Sequence, residues 1–498
     1  MEQKKAVVIG SGVAGLAASI RLAHGGYRCT VLEANDFPGG KLSQFQLGAY
    51  RFDAGPSLFT LPELVDELFE LCGKNARDYF QYLSLDSICR YHYPDGSSFT
   101  AETNRQRFAE SLRSIANPEE IQAFFQQLDE ASWKYQRTAS LFLDQSLHQV
   151  QNYFNLKTLR GMLGMPRLNL FETMHRENQR RVQNPKLVQY LNRYATYNGS
   201  DPYRAPALLN LIPHLEHNQG TYFPVGGMNR ITQALYQLAM EMGVEFRFES
   251  PAQEILCYNK KTRGVRYLDH HHQQSQDIEA DLVVSNADVF QTYRKLLPGV
   301  PAPTKILNQE KSSSAVVFYW GMRQSFPDLK LHNIFFAADY QAEFKAIFET
   351  KELHPDPTVY INISSKCEPA DAPQGGENWF VMINVPAADK SPIPNLVEKA
   401  RSLILSKLSH MTGVDLASLI EEESYLDPAR IEARTSSHGG ALYGNASNNR
   451  FAAFLRHKNF HSDIKGLYFC GGSAHPGGGI PLCLKSAKIA CEIAASRH

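Results

Sequence analysis

The chain lacks a long hydrophobic run: among its 498 residues no uninterrupted apolar stretch reaches the roughly 18 positions that a membrane-spanning helix needs. It lacks an excess of charge of either sign, since 51 lysines and arginines face 51 aspartates and glutamates. The broad basic field of a non-specific nucleic-acid binder is therefore missing, and no nucleic-acid partner is expected. The eight cysteines, at positions 29, 72, 89, 257, 367, 470, 483 and 491, include no CxxC pair and no Cys/His ligand cluster. Neither a zinc site nor a disulfide framework follows from that spacing, which suits reduced thiols in a cytoplasm. His270, His271 and His272 sit in a glutamine-rich turn between two strand-like stretches. Neighbouring side chains in a turn rarely complete a coordination shell, so no metal is expected. Repeats of solenoid length and long low-complexity tracts are also missing. The opening MEQKKAVVIGSG enters a strand almost at once, without the apolar core of a secretory signal, and is read as that of a chain that is not exported.

What is present is glycine in telling places. KKAVVIGSGVAGLAASIRLAHGGYRCTVLEAN reads as a buried strand, a glycine turn, an amphipathic helix, a second strand and an acidic residue, a complete βαβ unit. Gly10, Gly12 and Gly15 take the GxGxxG positions. The first allows the tight turn, the second lets backbone approach a pyrophosphate, and the third lets helix pack on strand. The helix start, with Val13 and Ala14, then faces the phosphates. Glu33, followed by Ala34, ends the second strand where a carboxylate accepts both ribose hydroxyls. Next come Gly39, Gly40 and Lys41, a second close-approach turn with one positive charge, and FDAGP, with Asp53, Gly55 and Pro56. This succession resembles the extended ADP-binding signature of the flavoprotein superfamily that includes amine oxidases, phytoene desaturases and GDP-dissociation inhibitors. The resemblance implies FAD rather than NAD, with Lys41 near the cofactor and the segment of Asp53 and Gly55 passing close to it.

Three pieces of one α/β, Rossmann-like FAD-binding domain are expected, at 1–90, 222–292 and 424–498, separated by insertions at 91–221 and 293–423. The middle piece opens on VGGMN and a helix with Ile231, Leu235, Leu238 and Met242 on one face, and ends in a buried strand at 282–284. The insertions build a second, α+β substrate domain. The first is mainly helical by pattern; the second contains strand-like SSSAVVFYWGM, PTVYINISS and NWFVMINVP. A sheet with helices around it would make the wall of a long apolar cavity.

Near the C-terminus, GGSAHPGGGIPLC packs five glycines into thirteen positions before a final helix. That density implies a backbone that turns sharply or approaches something closely. Taken with NRYATYNGSDPYRAPALLNLIPHLEHNQGTYFPVGGMNRI and GGALYGN, it resembles the bacterial phytoene-desaturase-type carotenoid desaturases nearly end to end. These stretches are similar to the branch that desaturates the 3,4 bond of 1-hydroxylated carotenoids. The resemblance implies an FAD-dependent enzyme in which Gly472, Gly479 and Ile480 border the cofactor and His475 lies near its ring. The helix after them directs its positive end at the flavin pyrimidine, where negative charge collects on reduction.

The reaction so implied takes a hydride from an allylic carbon to the flavin N5 and a proton from the adjacent carbon. The cation left by hydride loss is delocalised over a polyene, so a strong base is not obligatory. Tyr194, Tyr197 and Asn198 are candidates to meet a substrate hydroxyl, because a polar group in an apolar tunnel needs a partner. Oxygen or a quinone would take the electrons. A water-insoluble substrate has to be collected from a bilayer, and the basic, apolar stretch 153–171 suits a segment lying at the lipid surface, peripheral to the inner face of the cell membrane. Other readings of the superfamily are another carotenoid desaturase, a flavin amine oxidase, whose ending SAHPGGGIPL does not resemble, and a non-catalytic isoprenoid carrier, which would not need both glycine turns and Glu33.

Overall fold

The computed structural model describes residues 3–149, 169, 172–270, 272–388, 393–449 and 456–497. Apart from residue 169, the stretch 153–171 lies outside them. A five-stranded parallel sheet is ordered Leu467–Phe469, Leu282–Ser285, Lys5–Ile9, Arg28–Leu32 and Glu245–Arg247. Its strands come from three distant parts of the chain. The alternation of a strand sends Ala6, Val8 and Val284 to one face, against the helices Val13–His24, Asn229–Glu241 and Ile480–Arg497. Val7, Ile9 and Val283 point the other way, onto the three-stranded antiparallel sheet Ala252–Tyr258, Lys261–Asp269 and Gln274–Glu279. Ile231, Leu235 and Leu238 are fully buried on the inner face of Asn229–Glu241.

The second half is built on a seven-stranded sheet. Its order is Ile420–Leu426, Ser314–Met322, Glu377–Val385, Val359–Asn362, His332–Phe335, Ser87–His92 and Ser98–Glu102. All neighbours are antiparallel except His332–Phe335 beside Ser87–His92. The three β-branched and aromatic stretches of the later insertion form its centre. Two strands, Ser87–His92 and Ile420–Leu426, run across the sequence boundaries at 90/91 and 423/424. Val316, Phe318, Trp320, Val381 and Ile383 bury one face against the helix Leu396–Thr412. Helices Arg105–Leu112, Pro118–Phe142, Met174–Arg181 and Pro185–Asn192 surround the far end of the sheet. The longest begins in a capping box: Asn117 accepts the Glu120 N–H while Glu120 reaches back to the Asn117 N–H.

The opposite face of this sheet joins the two halves. Tyr319 and Phe380 pack on Tyr50 and Phe52 of the hairpin Gln44–Leu47 and Tyr50–Asp53. The Tyr319 hydroxyl donates to the carbonyl of Ala54 at 2.6 Å, and Asn378 Nδ2 donates to the Arg51 carbonyl at 2.7 Å. The aromatic wall is thereby pinned to the segment that carries Gly55 and Pro56.

Candidate functional site

The first strand ends at Ile9, and Gly10 turns the chain at φ +90°, with its N–H donated to the Leu32 carbonyl at 2.8 Å. A Cβ on Gly15 would fall 2.0 Å from the Gly10 carbonyl oxygen, so the helix can cross the strand this closely only without a side chain. Gly12 caps that helix with no side-chain bond and no acidic residue in the first turn, leaving the N–H groups at its start for a bound anion. Val13 is half-buried and Ala14 buried in that first turn. Gly39 seals the turn from the other side, its N–H donated to the Ser11 carbonyl at 2.9 Å, and Gly40 packs on Gly12.

Glu33 stands where the sequence puts it, 5% exposed at the end of the second strand. One carboxylate oxygen accepts from Ser11 N–H and Oγ at 2.7 and 2.6 Å, the other from Asn35 N–H and Nδ2 at 2.9 and 2.8 Å. The carboxylate therefore braces the glycine turn. Ala34, next along, is exposed.

Lys41 and the C-terminal glycines meet across the molecule. Lys41 Nζ donates to the Leu442 carbonyl at 3.0 Å, and Gly55 lies so close to the lysine backbone that a Cβ there would sit 2.1 Å from the Lys41 carbonyl oxygen. Burial lowers the Lys41 pKa, with Asp288 and Cys483 pulling the other way. Beside it Arg456, 2% exposed, donates from Nη1 to the carbonyls of Tyr443 and Gly472 at 2.7 and 3.1 Å. Among the described residues Arg456 Nη2 has no partner, and burial pulls the guanidinium down to about 10. Neither cation forms an ion pair with a carboxylate among the described residues. Successive carbonyls, 442 and 443, thus each hold one buried cation near Cys483, in the first turn of Ile480–Arg497.

The turn ahead of that helix packs tightly on one side and opens on the other. Gly478 abuts Tyr443, Gly477 abuts Arg456 and Gly472 abuts Gly478, whereas a Cβ on Gly479 would meet nothing within 4 Å. An uncapped helix start, a glycine crossing, an open backbone at Gly479 and two cations without counter-ions together fit a dinucleotide whose ring gains negative charge on reduction. Gly10, Gly12, Gly15, Gly39, Gly40, Lys41, Gly55, Gly472, Gly479 and Ile480 are residues of this one region, and Pro56 follows Gly55 along it.

Asp53, Tyr194, Tyr197 and His475 have partners within the protein, and Asn198 completes the candidates. Asp53 accepts the N–H groups of Met228 and Asn229 at 2.9 and 3.0 Å, and Arg51 Nη2 at 2.9 Å, so it fixes the second glycine turn. Tyr194 and Tyr197 both donate to Glu216, at 2.6 Å from Tyr194, with Arg193 on the same carboxylate at 3.1 Å. The Asn198 amide makes no hydrogen bond among the described residues. His475, 2% exposed, donates from Nε2 to the Gln145 carbonyl at 3.0 Å, and burial brings it down to about 4. It is neutral, with a fixed tautomer. Sequence reasoning missed Arg456, Tyr443 and Asp288, each ordinary in its local stretch.

Beside Phe290, whose ring stacks on His438, a groove of about 2000 Å³ opens, lined by Leu307, Pro386, Ile393, Leu396 and Tyr425. That exceeds the roughly 300–1000 Å³ of an ordinary small-molecule pocket.

A family model described as flavin containing amine oxidoreductase matches residues 13–495. The chain is 51% identical over 490 residues to the 1-hydroxycarotenoid 3,4-desaturase of Flavobacterium sp. (strain P99-3), covering 98% of this chain and 99% of that protein. It is 31% identical to the 4,4'-diapolycopene oxygenase of Methylomonas sp., over 98% of this chain and 97% of that one. Cyclohexylamine oxidase from Brevibacterium oxydans IH-35A shares the fold, with a TM-score of 0.61 at 16% identity over 99% of both chains. Matched from the glycine turn to the terminal helix, the chain belongs to the flavin-containing amine oxidoreductase family, among its carotenoid desaturases, and its cofactor is FAD.

Proposed function

We infer that the chain is an FAD-dependent desaturase that introduces a C-3,4 double bond into a 1-hydroxylated acyclic or monocyclic carotenoid. The observation that carries this is the 51% identity to a 1-hydroxycarotenoid 3,4-desaturase, spread over practically the whole of both chains. Bound FAD supplies the acceptor for the hydride. The Gly10–Gly15 turn and the start of Val13–His24 are the residues that would hold its pyrophosphate, with Glu33 at the ribose.

Lys41, Arg456 and the start of Ile480–Arg497 place positive potential on one side of the site. A helix end alone contributes up to about 2 kcal/mol in a partly buried setting. Water has to be kept from the reacting carbons, so that a carbocation spread over the polyene loses its proton instead of being trapped by water. The neutral His475 leaves Nδ1 without a proton. Holding the C3–C4 bond against the cofactor is the chain's main contribution to rate.

Among the described residues no helix is long and apolar enough to cross a membrane. Peripheral attachment to the inner face of the cell membrane, and oxygen or a quinone as final electron acceptor, complete the reading. The test incubates flavin-loaded protein in liposomes with matched hydroxylated and non-hydroxylated carotenoids. A red-shifted product from the hydroxylated member supports the reading, and no product from either refutes it.

A further inference from the structure

Tyr443 sits where the two halves of the molecule touch. A Cβ on Gly199, from the substrate half, would lie 3.0 Å from Tyr443 Cδ2, and one on Gly478, from the cofactor half, 2.9 Å from Cδ1. The two edges of one ring are thus gripped by glycines 279 positions apart in sequence (478 minus 199). Its backbone is equally fixed: the N–H donates to Ser312 Oγ at 3.0 Å and the carbonyl accepts from Arg456 at 2.7 Å. With Lys41 on the preceding carbonyl, the ring has no freedom to swing away from the cofactor region.

The hydroxyl of this clamped ring has no hydrogen-bond partner among the described residues. The side chain is half-buried, and burial is the sole cause that pushes its pKa up to about 12; no charged group acts on it. Several phenols of the substrate half are engaged, although the buried Tyr91 hydroxyl also has no partner among the described residues. Tyr194 and Tyr197 donate to Glu216, Tyr190 meets His217 at 2.6 Å, and Tyr360 meets Ser57 and His332 at 2.7 Å each. A half-buried phenol of this kind can donate to, or accept from, a ligand hydroxyl.

The desaturase reading, on which this inference rests, says what that something is. In a 1-hydroxylated carotenoid the oxygen is attached two carbons from C3, so its binding partner has to border the place where C3 and C4 react. Tyr443 lies on Gly478, two residues ahead of the helix Ile480–Arg497, between the anchors of Lys41 and Arg456. We propose that the Tyr443 hydroxyl is the specificity-determining contact of this enzyme, hydrogen-bonding the C1 hydroxyl of the carotenoid and so setting the 3,4 bond in register.

The experiment compares wild-type holoenzyme with Tyr443→Phe in liposomes, on a 1-hydroxylated carotenoid and its non-hydroxylated counterpart. Flavin absorbance and melting temperature are recorded for both proteins. A neutral hydrogen bond corresponds to roughly tenfold, and the wild-type preference in kcat/KM for the hydroxylated member should shrink about tenfold in the variant, mainly through KM. An unchanged preference ratio overturns the proposal while leaving the desaturase reading intact. A wild type inactive on both carotenoids refutes that reading and the proposal with it.

Discussion

Asp53 Oδ2 accepts the backbone N–H of Met228 at 2.9 Å, across 175 positions of chain. The second oxygen takes the next N–H, that of Asn229, so one carboxylate closes the start of a helix that belongs to a different segment. Asp53→Ala should therefore cost about 2 kcal/mol, the upper range for a lost helix cap. Chemical denaturation checks this; a loss below about 0.5 kcal/mol would contradict the capping role.

Two glycines of one turn should behave differently. A Cβ on Gly15 meets backbone at 2.0 Å, whereas one on Gly12 meets only the end of the Asn286 side chain at 2.9 Å. Gly15→Ala is expected to destabilise the whole protein. Gly12→Val should remain folded and come out colourless, because its side chain occupies the pyrophosphate position. Circular dichroism and flavin absorbance separate the two, and a yellow Gly12→Val protein would contradict the pose.

Glu33→Gln places an amide N–H₂ against donors, since both oxygens now accept from Ser11 and Asn35. Leaving a buried donor unsatisfied costs about 1–3 kcal/mol. FAD affinity should fall by about tenfold or more, read by flavin release on dilution. Unchanged affinity would remove the ribose role.

Arg456→Met takes away a buried cation without a counter-ion and should make the bound flavin harder to reduce, by on the order of 30 mV. Dye equilibration measures this. An unaltered potential would confine Arg456 to holding the carbonyls of Tyr443 and Gly472.

Stability should fall on acidification through the histidines. Burial lowers His475 and His92 from 6.5 to about 4, and His217, His332 and His457 to about 3. The unfolded chain takes up protons first, so stability is full above about 6.5 and is lost progressively as pH falls toward 3 to 4. A melting temperature that stays level from pH 7 to about 4 would argue against neutral burial of these rings.

The βαβ unit was legible because period, turn and terminal acid all lie within some thirty residues, where local physics decides. Tyr194 and Tyr197 are named as partners for a substrate hydroxyl in an apolar tunnel, yet the carboxylate that engages them lies 22 and 19 positions downstream, on another short helix. Asp53 is named from the resemblance of its FDAGP segment, and nothing nearby in sequence reveals that it also caps a distant helix. Tyr443 lies unremarked within GGALYGN, and Arg456 gives no local signal. Their significance comes from the docking of Gly199 and Gly478 onto one ring, which only tertiary contact creates.

The parallel sheet has one further consequence, for how the cofactor half holds together. Its edge strand Leu467–Phe469 pairs with Leu282–Ser285, and the helix Ile480–Arg497 covers Val8 and Val284. A chain cut before 467 would leave the hydrogen-bonding edge of Leu282–Ser285 bare and Val284 without that cover, loosening the sheet that carries the glycine turn.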